Sequence, residues 1–178
     1  GSMTATKSRA RILDFPATYY YVPYVFAVHN KSTLTDHKAL NGKTIGVEGG
    51  TTSEDYLNQA LAIEATDMPP VAYDVQTKKM KTYAGSLGPL DDLRLGDGVR
   101  LDGILTQRST LEAAIKKNYP LRAVDNGVVF YEPLAIATDK GDAELKAKLG
   151  EIIGAMHKDG TLTKLSTKWY GVDYSTVK

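Results

Sequence analysis

Apolar and aromatic residues cluster first in a strand-like pattern. Ile12, Leu13 and Phe15, then residues 19–22 and 24–28, are dominated by β-branched and aromatic side chains, interrupted by Pro16 and Pro23. This predicts extended chain over 12–28. A short helix is expected over 34–40, capped by Thr35 or Asp36, and Asn41-Gly42 turns the chain into a short buried strand at 44–47. Thr51 and Glu54 then stand at capping-box spacing, ahead of apolar positions at Tyr56, Leu57, Ala60, Leu61 and Ile63. Strand, glycine-rich turn and capped helix make one βα unit.

Further strands are expected at 71–75, 99–105 and 121–124, with extended chain at 128–131 and 134–137. Leu90 to Leu95 reads as a short helix, in a stretch (76–98) whose pattern is otherwise hard to read. Ser109 and Glu112 predict a capped helix through Lys117. The clearest helix opens at Asp142: Leu145, Leu149, Ile152, Ile153 and Met156 recur on one face, and Gly160 ends it. A last helix runs from about Thr161 to Gly171. Strands alternating with helices predict an α/β class with a mainly parallel sheet.

Composition narrows the functional classes. The 178 residues carry 22 Lys+Arg against 21 Asp+Glu, a net charge of +1, and no cysteine. Thiolate metal sites, disulfides and a cysteine nucleophile are thereby excluded. Balanced, scattered charge argues against nucleic acid as the partner. No apolar run approaches a membrane span, and no N-terminal stretch reads as a signal peptide. Gly1 and Ser2 ahead of Met3 look like a remnant of expression, and the chain reads as though it starts in mid-structure.

Three stretches offer chemistry. Gly49, Gly50, Thr51, Thr52 and Ser53 combine close backbone approach with N–H and hydroxyl donors suited to an anion; the alternative is a tight βα turn with no ligand. Arg9, beside Lys7 and Arg11, could grip a carboxylate or belong to a solvated basic stretch. Gln107, Arg108 and Ser109 follow a strand, where α/β proteins gather ligands, although Ser109 is more simply an ordinary cap. His29, His37 and His157 share no metal-ligand spacing, so no metal is expected. Neither Glu48 nor Glu132 sits in a catalytic motif; no enzymatic reaction and no cofactor is expected.

Four stretches carry a family resemblance. Residues 9–20 (RARILDFPATYY), 40–57 (LNGKTIGVEGGTTSEDYL), 101–115 (LDGILTQRSTLEAAI) and the C-terminal 132–171 resemble the family 3 extracellular solute-binding proteins, the amino-acid-binding components of bacterial ABC importers. The resemblance implies a periplasmic-binding-protein-like α/β fold with one complete, parallel-rich lobe flanked by helices and an incomplete second lobe. It implies a remnant and first hinge strand in 1–28, the complete lobe in 29–127, and a second hinge strand with returning helices in 128–178. A small amino-acid-like ligand would be clamped between lobes, with an ABC permease as partner and a periplasmic location. By position, Arg9 matches the arginine that grips the ligand α-carboxylate, Thr52 a threonine that assists it, and Thr4 a nearby hydroxyl ligand.

Two departures stand out. Where the family places an acid against the ligand's ammonium, this chain has Gln107, which can accept a hydrogen bond but cannot form an ion pair. The opening part of the family's first lobe also has no counterpart, which leaves the stripe of Leu145, Leu149, Ile152, Ile153 and Met156 without a cover. A homo-oligomer or swapped dimer is expected to cover it. The alternative function is a half-length derivative with a structural or accessory role through self-assembly.

Overall fold

The computed structural model describes residues 2–65 and 68–177. In chain order its strands and helices are β1 (Met3–Thr4), β2 (Leu13–Asp14), β3 (Thr18–His29), β4 (Thr44–Glu48), α1 (Thr52–Leu57), β5 (Lys79–Tyr83), α2 (Leu87–Leu93), β6 (Gly103–Gln107), α3 (Arg108–Lys116), β7 (Leu121–Ala123), β8 (Phe130–Ala135), β9 (Thr138–Asp139), α4 (Ala143–Lys158) and α5 (Thr161–Tyr170). Short 3-10 turns occupy Arg9–Arg11 and His37–Leu40. The chain forms two compact units: Pro23–Leu61 with Pro70–Phe130, and the remainder. Residues 62–65, 68 and 69 group with the N- and C-terminal segments rather than with the segments that flank them.

In the 23–130 unit, β4 pairs in parallel with β5 and with β6, while β3 pairs antiparallel with β6 and β7. The register sets Tyr24 beside Gln107 and Val47 beside Thr82. Side chains alternate across this sheet with period two. Val25 and Ala27 of β3 join Leu90, Leu93, Leu101, Ile104, Leu111, Ala114 and Leu121 in a core under α2 and α3. Phe26, between them, faces the other way, stacking on His37 and meeting Tyr56 of α1 edge-on. The strand is buried on both faces because helices cover both, which explains its unbroken apolar run.

Gly46 of β4 is a packing requirement: a Cβ there would lie 2.6 Å from Leu101 Cδ1 and 3.3 Å from Ile104 Cγ2. Within α2, the buried Asp92 accepts from Lys81 Nζ at 2.6 Å, Tyr83 OH at 2.5 Å and Arg100 Nη1 at 2.7 Å. The bond from Lys81, then that from Tyr83, hold its carboxyl well below the usual carboxylate range. A second clasp joins His37 Nδ1 to Asp125 Oδ2 at 2.7 Å. Burial pushes the Asp125 carboxyl up, but bonds from the His37 ring, the His37 N–H and the Gly127 N–H outweigh it and lower it.

The other unit pairs β1 with β8 and β2 with β9, both antiparallel. Thr6 bridges to Ile63, flanked by Lys7 N–H to Ala62 O at 2.9 Å and Glu64 N–H to Ala5 O at 2.9 Å. Asp142 caps α4 by accepting from the Leu145 N–H at 2.9 Å. Gly160 and Gly171 bracket α5 with φ of 75° and 77°, left-handed values that cost glycine no Cβ clash. Of the expected α4 stripe, Ile153 is already buried within the chain, which corrects its place among positions awaiting a partner. Leu149 and Met156 are half-buried, while Leu145 and Ile152 stay exposed.

Several local expectations need correction. The helix after Thr51 stops at Leu57, because Gln59 turns to φ 55° and the Ala60 N–H reaches back to Asp55 O. Residues 71–75 form no strand: Tyr56 OH and Asn41 Nδ2 take the carbonyls of Ala72 and Asp74 instead. The strand next to β4 is β5, within the stretch whose pattern was hard to read. Ser109 lies inside α3 rather than capping it; Gln107 holds the cap position. Residues 34–40 make only a 3-10 turn, capped by Asp36 accepting from Lys38 N–H.

Candidate ligand-binding site

The carboxyl ends of parallel strands β4 and β6 lie side by side, and α1 and α3 start directly after them. They border a pocket of about 140 Å³ inside the 23–130 unit. That is far more than the roughly 10–15 Å³ needed for a single water by the same kind of measure. Tyr24, Glu48, Thr51, Ser53, Ser86 and Gln107 line it, together with Thr106 and Thr110, while Pro89 and Leu105 supply apolar wall. The setting is the crevice beyond strand carboxyl ends where open α/β sheets take ligands.

Three residues singled out from sequence meet here: Thr51, Ser53 and Gln107. The loop that carries the first two is built differently from a capping box. Thr51 Oγ1 donates to Glu48 O at 2.7 Å, so Ser53 Oγ must donate in their shared 2.7 Å contact. Glu54 Oε2 accepts from the Gly50 N–H at 2.6 Å, one residue ahead of the cap. The Thr51 side chain bonds no backbone N–H of the helix. Gly50 has φ 72° and is exposed, and Thr52 is buried; neither borders the pocket.

Thr4 and Arg9 belong to the other unit. Thr4 is buried, and its hydroxyl donates to the equally buried carboxylate of Glu132. Arg9 is half-buried, and its Nη1 donates to Thr4 O at 3.2 Å. A guanidinium carries five N–H donors. Among the described residues, Arg9 has no carboxylate partner.

Tyr24, Glu48, Ser86, Thr106 and Thr110 were not singled out as ligand residues from sequence. Glu48 ends β4 and Thr106 is the penultimate residue of β6, so the rule about strand carboxyl ends points to them. Ser86 had no such signal. A separate trio, Asp36, His37 and Asp125, brings metal-type ligand atoms within 4.8 Å. Its atoms are engaged as caps and clasps: Asp36 accepts from Lys38 N–H at 2.6 Å, and Asp125 accepts from the N–H groups of His37 and Gly127.

The model of the bacterial extracellular solute-binding proteins, family 3, matches residues 1–172. The chain belongs to that family. This family 3 chain is 30% identical over 173 residues to the L-cystine-binding protein TcyJ of Escherichia coli K12, covering 96% of itself and 59% of that protein. It is 30% identical to the L-arginine-binding protein of Pseudomonas aeruginosa, covering 97% of itself and 64% of that relative. The chain thus spans about 60% of the length of these curated relatives. The solved structure of an ancestral arginine-binding protein bound to arginine superposes with TM-score 0.73 at 28% identity, over 94% of this chain and 69% of the other. The mixed α/β architecture is that of the amino-acid substrate-binding proteins among these neighbours. Among the described residues, no helix of this family member is long and apolar enough to cross a membrane.

Proposed function

We propose that this chain binds a small polar solute of the amino-acid class without transforming it, as part of the periplasmic solute-binding component of an ABC importer. The observation that carries this reading is the hydroxyl- and amide-lined pocket at the carboxyl ends of β4 and β6 in a family 3 chain. Thr51, Ser53 and Gln107 are its proposed ligand contacts, with Gly50 and Thr52 shaping the loop that presents them. Arg9 is proposed to take the solute carboxylate, with Thr4 holding it in place through its carbonyl. The lack of a carboxylate partner for Arg9 among the described residues supports that role.

Titration calorimetry with L-arginine, L-glutamine and L-cystine tests the reading. Binding to one of them is expected, and Arg9→Ala should weaken it about 10- to 100-fold, the loss of a charge-assisted bond. Failure of all three to bind would overturn it.

A second reading, self-assembly with a structural or accessory role, has its own observation. Leu145 and Ile152 of α4 are 43% and 45% exposed, and Trp169 of α5 is 73% exposed. Apolar side chains left in water favour burial against a second copy. Sedimentation velocity decides: a concentration-dependent dimer that dissociates in Ile152→Glu supports it, and a monomer at every concentration refutes it.

A further inference from the structure

The charge of the pocket is one-sided. Of the residues lining it, Glu48 is the one acidic side chain and none is Lys, Arg or His; the other polar groups are hydroxyls and the Gln107 amide. Lys81 Nζ sits on Asp92 at 2.6 Å, and Arg108, next to Gln107 in sequence, donates from Nη2 to Asn126 O at 3.3 Å; neither residue lines the pocket. Among the described residues, the Glu48 carboxylate has no hydrogen-bond or ion-pair partner; its backbone carbonyl accepts from Thr51 Oγ1. Glu48 is half-buried at the end of β4, where a charge is screened less than on an open surface.

A carboxylate on a pocket wall with no protein cation to neutralise it draws in positive charge and repels an oxyanion. Gln107 lines the same pocket and brings no charge of its own. Resting on the solute-binding reading above, we propose that Glu48 pairs with a cationic nitrogen of the solute, an ammonium or guanidinium, and so restricts the ligand class to amines. Glu48 is then the specificity-determining residue of this pocket. The hydroxyls of Thr51, Ser53 and Ser86 orient the bound group without adding charge.

The test is calorimetry on the whole chain with L-arginine as probe, alongside L-citrulline, whose side chain is neutral, and Nα-acetyl-L-arginine, whose α-nitrogen is neutral. Glu48→Gln preserves shape and leaves the bond from Thr51 to the main chain intact, so its unliganded melting temperature should match the wild type. Its affinity for L-arginine should fall about 10- to 100-fold, as expected for losing a charged hydrogen bond. One of the two neutral analogues should lose affinity to a similar degree on wild type and show no further loss on Glu48→Gln, which identifies the nitrogen that is paired. If Glu48→Gln binds L-arginine within about twofold of wild type while Arg9→Ala loses it, the Glu48 assignment falls and the solute-binding reading stands. If wild type binds neither L-arginine, L-glutamine nor L-cystine, both fall.

Discussion

The Tyr24 ring lies flat on Phe130, with 4.5 Å between centroids and 14° between planes. Phe130 also stacks on Tyr56 at 5.4 Å, so one ring ties the wall residue Tyr24 to the core beneath α1. Phe130→Ala should cost about 3–5 kcal/mol, the usual range for emptying a buried aromatic site. Chemical denaturation measures this, and Phe130→Leu, which refills most of the volume, should recover most of the loss.

Asp92 should make the protein acid-sensitive. Its carboxyl is held low in the fold by Lys81, Tyr83 and Arg100, so the stability it contributes is present above its unfolded value. That contribution is lost as pH falls below about 4, where an unfolded aspartate takes up its proton. Asp92→Asn should lower stability at pH 7 by about 1–3 kcal/mol and flatten the acid limb of a melting-temperature profile. An unchanged acid limb would assign the slope to other carboxylates.

Tyr56 should contribute to the alkaline limit. Burial pushes its phenol up to about 12, and its OH donates to Ala72 O at 2.9 Å. A group held protonated in the fold stabilises below its unfolded value of about 10 and loses that contribution as pH rises toward 12. Wild type should therefore lose up to about 3 kcal/mol across that window. Tyr56→Phe should start less stable at pH 7, from the lost bond, and fall less steeply; parallel alkaline curves for the two proteins would refute the assignment.

Gly46→Ala should destabilise by about 1–3 kcal/mol through overpacking against Leu101 and Ile104. The double variant Gly46→Ala/Leu101→Ala should recover part of that loss, because the clash is with the Leu101 side chain. Additive losses in the double-mutant cycle would show instead that the strain lies in the backbone.

The elements that could be read from residue order are those whose signal is local. The i, i+4, i+7 spacing of Leu145, Leu149 and Ile152 located α4, and Gly160 and Gly171 marked the ends of α5 through their left-handed geometry. The buried tracks of β3 and β4 were visible as apolar runs, whereas β6 lies at Gly103–Gln107 rather than the expected 99–105, because the chain turns first, with the Gly98 N–H donating to Leu101 O at 3.2 Å. The stretch 71–75 has a strand-like composition, yet side chains of Tyr56 and Asn41 claim its carbonyls before a ladder can. β5 is read poorly for the opposite reason. It borders only β4, and an edge position tolerates Lys79, Lys81 and Thr82 where a central strand would not.

Residue order alone therefore settled the α/β class and the family resemblance, and pointed to three of the pocket's polar residues: Thr51, Ser53 and Gln107. Pairing in three dimensions settled the rest. Tyr24, Glu48, Ser86 and Gln107 are scattered over more than eighty positions of sequence. They converge because β6 lies between β3 and β4, antiparallel to one and parallel to the other. That juxtaposition depends on burying Val25, Leu90, Leu101 and Ile104 in one core, a non-local event that no short window of sequence contains. The same folding places the Glu48 carboxylate, which among the described residues has no protein cation as partner, on the pocket wall, and so turns a strand-end residue without a catalytic motif into the one acidic group of the site.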